Sequence, residues 1–239
     1  MKSDWINKGR NSLNSSFMER PNMKTIICAA FKRFGAYTAN SAELAVRKVA
    51  NRVVAGYKIR TVFFRTTIPR GNRGKRLFNL ARHIGASGIV CPGMASDKTG
   101  LCAETTATNI IDNTKYCPAE INGTAIDASR PYGQKVILDL QPWHIWGFCE
   151  LCRNRKIPVT KPSNDANGFC CNHLMWQLRM AHLNSPRGKA DTPFIFLHVP
   201  CSPEAVLDPI EFAKAGKTTI TINQIVSGLR LLLTYSSLP

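Results

Sequence analysis

Between residues 23 and 235, short apolar runs rich in β-branched residues alternate with amphipathic helical patterns. That alternation narrows the choice of fold more than any other feature. Buried strands are expected at residues 23–31 (MKTIICAAF), within 57–68, at 87–94 (SGIVCPGM), 157–161 and 192–200 (TPFIFLHVP). Asn40 is placed to cap a first helix with Glu43 three residues on, the capping-box arrangement, and Ala42, Ala45, Val46, Val49 and Val53 form its stripe. A second helix over 75–84 turns Leu77, Leu80, Ala81 and Ile84 inward, and Pro142 opens a third that runs to about residue 155. A fourth covers 171–183 through Leu174, Met175, Leu178 and Ala181; a fifth covers 223–235 through Ile225, Val226, Leu229, Leu232 and Leu233. The pattern predicts an α/β fold: a single domain with a mostly parallel twisted sheet and helices on both faces. Residues 1–22 carry no period and read as a loose N-terminal extension, leaving 23–239 as the folded domain; the segment 117–131 is turn-rich. Ligands of such sheets bind at the carboxyl ends of the strands. Met94, the loop before Cys171, and His198 all fall at or just past such ends.

Charge and cysteine content limit the classes of function. With 32 Lys+Arg against 15 Asp+Glu the formal charge is +17, and no acid occurs between Glu43 and Asp97. A field of that size attracts nucleic acid or anionic surfaces, but no nucleic-acid motif accompanies it, and a solvated basic face is the simpler reading. No stretch is apolar and long enough to span a bilayer, and the first 22 residues lack the apolar middle of a secretory signal. A cytoplasmic location is therefore expected. The nine cysteines, an odd number in a chain of 239 residues, are expected to be reduced thiols.

The stretch SNDANGFCCNHLMW, from Ser163, sets two cysteines and a histidine at the start of a helical pattern. Three readings compete. Cys149 with Cys152 and Cys170 with His173 make paired ligand spacings of the kind zinc takes, yet the first pair lies in a helical pattern rather than on a Gly-containing knuckle. Packing is the plain reading of a lone Cys or His. The third reading is a thiolate nucleophile, because a cysteine on the first turn of a helix meets unpaired N–H groups and the positive end of the dipole. His198, ending a buried strand, is a candidate general base.

The same stretch resembles the active-site motif of the pyroglutamyl peptidase I family, cysteine peptidases that remove N-terminal pyroglutamate. MKTIICAAFKRFGAYTANSAE is similar to that family's opening strand and Phe-x-x-Phe-Gly loop. GMASDKTGLCAETTATNIID resembles the segment with its catalytic glutamate, and FIFLHVPCSPE the one with its catalytic histidine. The four matches occur in the family's order, each at a strand end. The resemblance implies that Cys171 is the nucleophile, His198 the proton carrier and Glu104 the acid that orients it. It also implies that Phe31, Phe34 and Cys170 line the lactam pocket, that His173 is structural, and that neither metal nor cofactor is used. N-terminally pyroglutamylated peptides are the implied substrates, 23–239 the peptidase domain, and a homo-tetramer the family's common assembly. Departures from the family pattern are Lys32-Arg33 for Glu-Pro, Met94 for Gln, Ser96-Asp97-Lys98 for Gly-Gly-Arg, and Ala166-Asn167-Gly168 for Ala-Gly-Thr. Thr114 or Lys115 stands near the place of an expected arginine. Asn167 tolerates positive φ best after glycine. Two alternatives remain: a family member that has lost activity and binds its ligand, and a basic nucleic-acid-binding protein with a zinc site.

Overall fold

Strand β1 (Thr25–Phe31) divides its side chains by parity between two cores: Ile26, Cys28 and Ala30 face one, Ile27, Ala29 and Phe31 the other. A strand buried on both sides needs an uninterrupted apolar run, and IICAAF supplies it. The structure, a computed structural model, describes residues 23–65, 67–113, 117–186 and 192–238. The expected extension, residues 1–22, and Thr114 and Lys115 lie outside the described residues.

The remaining strands are β2 (Val53–Val54), β3 (Tyr57–Phe64), β4 (Gly88–Met94), β5 (Cys102–Ala103), β6 (Thr106–Thr108), β7 (Lys135–Ile137) and β8 (Phe194–Val199). The main sheet runs β2-β3-β1-β4-β8-β5, with β3, β1, β4 and β8 parallel and the two short edge strands antiparallel. β6 and β7 pair separately. Helices α1 (Ser41–Val49), α3 (Ile145–Asn154) and α6 (Ile222–Tyr235) cover one face; α2 (Arg73–His83) and α4 (Cys170–Leu183) cover the other. A short α5 (Pro209–Lys214) lies outside both cores. The expected α/β architecture is therefore present. Among the described residues no helix is long and apolar enough to cross a membrane.

Local departures have local causes. Asn40 caps α1 through the N–H groups of Ala42 and Glu43, but Glu43 does not close the box. Its carboxylate instead takes the Arg33 N–H at 3.1 Å and the Arg47 guanidinium at 2.8 Å. Asn51 adopts φ 58°, so the chain leaves the helix before Val53, which is 57% exposed on β2 rather than in the stripe. In α2, Phe78 replaces Leu80 in the core, since 77, 78 and 81 share a face and Leu80 points out. The third helix is broken: residues 141–143 form a 3₁₀ turn, His144 is left-handed, and α3 begins at Ile145. The strand expected at 157–161 is reduced to a bridge between Val159 and Leu101, because Pro158 and Pro162 have no N–H for a ladder.

Candidate active site

Parity along β8 decides where His198 points. Phe194 and Phe196 belong to the core under α4, and His198 continues that side, its ring 5.1 Å from Phe196. Cys171 is the second residue of α4 and so reaches the same place from above. Glu104 arrives from the sheet edge: Cys102 on β5 stands opposite His198, and Glu104 N–H then donates to Phe196 O at 3.0 Å. Its carboxylate Oε1 lies 2.7 Å from His198 Nδ1. Three residues scattered over 95 positions thus meet at one point, nearly sealed from solvent: Cys171 is 8% exposed, His198 2% and Glu104 0%.

Burial alone would keep the thiol and imidazole neutral. The hydrogen bond with Cys170 is the largest influence on Cys171; with the charge and hydrogen bond of His198 it outweighs burial and lowers the thiol to about 6. Burial pulls His198 down, but the Cys171 thiolate and the hydrogen bonds to Cys171 and Glu104 overcome it and raise the ring to about 9. Both shifts favour the thiolate–imidazolium form of the pair. Cys170, with its sulfur 4.0 Å from that of Cys171, is pushed well up by burial. The N-cap residue of α4, Phe169, makes no side-chain cap, and the first turn of α4 carries no acid.

The residues expected to line the pocket lie together. Phe31 and Cys170 share the buried cluster of Cys171. Phe34, half-buried in the loop after β1, joins through Phe169, ring centroids 6.4 Å apart. The sequence reading missed Phe169, although an aromatic residue next to Cys170 was a usable signal. It also missed Phe64, whose ring packs 5.1 Å from Phe31. Met94 sits behind Phe34 and Tyr37 with its sulfur accepting from Ser41 N–H and Oγ, both at 3.4 Å. Asn167 does hold φ 58°. Two further asparagines fix the site. Asn172 clamps α4 to β6 through Thr108 N–H and O at 2.8 Å each, and buried Asn109 ties together the turn-rich segment at Asp127, Arg130 and Pro131. Neither had a local pattern to announce it.

The zinc spacings do not converge. Cys149 and Cys152 pack in the core under α3, Cys170 in the core across the sheet, and no group of three His, Cys, Asp or Glu side chains is arranged to hold a metal ion among the described residues. His173 is 4% exposed, and burial followed by the charge of Arg73 lowers it to about 4, leaving it a neutral packed ring. A cavity of about 500 Å³ opens between α2 and α4, lined by residues such as Lys75, Phe78, Arg82 and Trp176, but none of Glu104, Cys171 or His198 borders it.

Comparison with known proteins gives the family of the chain. The chain is 30% identical over 208 residues to the pyrrolidone-carboxylate peptidase of Streptococcus suis, covering 86% of this chain and 89% of that one. To the enzyme of that name from Staphylococcus carnosus it is 28% identical over 209 residues, covering 85% and 89%. The crystal structure of pyroglutamyl peptidase I from Bacillus amyloliquefaciens superposes with a TM-score of 0.71 at 21% identity, over 90% of this chain and 95% of that one. That of the pyrrolidone carboxyl peptidase from Thermococcus litoralis gives 0.69 at 19%, over 90% and 93%. The sequence profile described as pyroglutamyl peptidase matches residues 23–236, nearly the whole described fold, and the chain belongs to that family.

Proposed function

We propose that the chain is a cysteine peptidase that hydrolyses the amide following an N-terminal pyroglutamyl residue. The observation that carries this reading is the 2.7 Å contact of Glu104 with His198 Nδ1, on an imidazole whose other side meets Cys171. The Cys171 thiolate attacks the pyroglutamyl carbonyl carbon, and the developing oxyanion is held by N–H groups at the start of α4. His198 gives its proton to the departing amine, leaving a thioester. Neutral His198 then takes a proton from water, which attacks the thioester; the thiolate leaves and pyroglutamate is released. Glu104 holds the ring in the tautomer that keeps Nε2 toward sulfur. Phe31, Phe34, Cys170 and the added Phe169 surround a small uncharged ring, and apolar walls suit it. None of the departures from the family pattern replaces a member of the triad.

Residues 23–239 are read as the peptidase domain, 1–22 as an extension to it, and a homo-tetramer as the assembly. All nine cysteines are free, which fits a reducing compartment such as the cytoplasm. The basic face is read as solvated rather than as a nucleic-acid site: Arg52, Lys58 and Arg60 are exposed along β2 and β3, while Arg47 and Arg70 pair with Glu43 and Glu120. Turnover of a pyroglutamyl-linked fluorogenic amide tests the assignment. Hydrolysis by the wild-type chain that disappears in Cys171→Ala supports it. A folded wild-type chain that binds the amide without cleaving it would instead mark a binding protein.

A further inference from the structure

Lys98 places its ammonium 3.7 Å from Glu104 Oε1, the same oxygen that His198 holds at 2.7 Å. The lysine is itself largely withdrawn from water, its side chain 16% exposed against 0% for Glu104. The loop leaving β4 makes this approach through a turn in which Lys98 N–H donates to Ala95 O at 3.3 Å. The other carboxylate oxygen, Glu104 Oε2, is buried with no hydrogen-bond partner among the described residues. A carboxylate that has lost its water needs compensation, and one imidazole N–H is thin compensation for a full charge.

We propose that Lys98 is a positioning residue for the reaction at Cys171: it shares Glu104 Oε1 with His198 and supplies the second positive charge that the buried acid requires. This deepens the cysteine-peptidase reading and rests on it. The charged and titratable groups facing Glu104 come from four segments: His198 on β8, Cys171 on α4, Cys102 on β5 and Lys98 on the loop after β4. With a thiolate at Cys171 and an imidazolium at His198, the charges of Glu104 and Lys98 bring the site to zero. Without Lys98 one negative charge is left over in a space nearly closed to water. Excess negative charge makes each proton in the site harder to remove, for the thiol and the imidazolium alike. Lys98 thus sets where on the pH scale the reactive pair exists, without touching the substrate.

The test is the pH dependence of iodoacetamide alkylation at Cys171, read by peptide mass spectrometry on the full chain. Wild type is compared with Lys98→Met and Lys98→Arg, with Lys98→Gln in reserve should the methionine variant fail to fold. The inflection should rise by roughly half a unit to two units in the uncharged variant and return close to wild type with arginine. An unmoved inflection in a folded uncharged variant overturns the proposal, as does an arginine variant that shifts as far as methionine. Alkylation requires no substrate, so the two readings fail separately. A shifted inflection in a chain that cleaves no pyroglutamyl amide sinks the substrate assignment and spares Lys98. Turnover with an unshifted inflection does the reverse.

Discussion

Gly93 and His198 stand opposite each other in the β4–β8 register, and the missing side chain of Gly93 makes the space in which the Cys171 sulfur rests. A Cβ built on Gly93 would lie 2.5 Å from Phe196 Cζ and 3.1 Å from Cys171 Sγ. Phe196 is wholly buried and cannot swing clear, so the strain falls on the nucleophile and the sheet. Gly93→Ala is expected to lose about 1–3 kcal/mol of stability by overpacking. Displacing the thiolate should also lower kcat, on the order of 10²-fold for a shift near 1 Å. Urea unfolding and turnover measured side by side check this; a variant wild-type in both would show that sulfur does not occupy that space.

The two neighbouring thiols should separate cleanly. Cys171→Ser is expected to abolish turnover, because a serine hydroxyl is not ionised by an imidazole at neutral pH as a thiol is. Cys170→Ala should remain active, since its sulfur sits beside the nucleophile rather than in its place. Its hydrogen bond is the largest influence lowering Cys171, so its loss should move the acid limb of activity upward. An inactive Cys170→Ala beside an active Cys171→Ser would exchange the two assignments.

How far the sequence could be read depends on how local each cause was. The parity of IICAAF in β1 and the stripe Ile225, Val226, Leu229, Leu232 and Leu233 in α6 repeat over several residues, and both fall where their periods put them. β5, β6 and β7, at two or three residues each, are too short to have a period. The start of α6 is set by a full capping box of Thr221 and Gln224, which puts its first residue at Ile222, one before the expected 223. Val53 fits the helical stripe by its hydrophobicity, which does not report that Asn51 turns left-handed. The meeting of Glu104 with His198 depends on the sheet order, which no local pattern encodes; in the sequence only the resemblance of motifs implies it.

Activity should follow a bell-shaped pH profile. The working form has Cys171 as thiolate and His198 as imidazolium. Cys171, lowered first by its hydrogen bond with Cys170, loses the thiolate as pH falls through about 6. His198 is pulled down by burial but raised further by the thiolate and by Glu104, and loses its proton as pH rises through about 9. The two values belong to the interacting pair rather than to either residue alone. A profile of kcat/KM against pH should therefore be flat near 7 to 8 and fall on both sides. A single limb near 8 to 9, as for an ordinary thiol, would show that the pair is not ionised in the resting site.

Glu104 tests whether the third residue orients or merely fills space. Glu104→Gln keeps the shape and removes the charge, and its amide can still present an oxygen to His198 Nδ1 at the observed 2.7 Å. What it cannot do is attract the imidazolium, so His198 should release its proton at lower pH and the alkaline limb should move down. It also leaves the Lys98 ammonium, 3.7 Å away, facing a neutral group. In a serine triad the corresponding change costs about 10⁴-fold in kcat. A thiol ionises more readily on its own, so the loss here should be smaller, on the order of 10²- to 10³-fold. The chain should remain folded and its Cys171 alkylatable, because the carboxylate supports the reaction and not the core. Circular dichroism, alkylation rate and turnover read these three separately. Turnover near wild type with an unmoved alkaline limb would mean that Cys171 and His198 act as a dyad and that the Glu104 contact is structural.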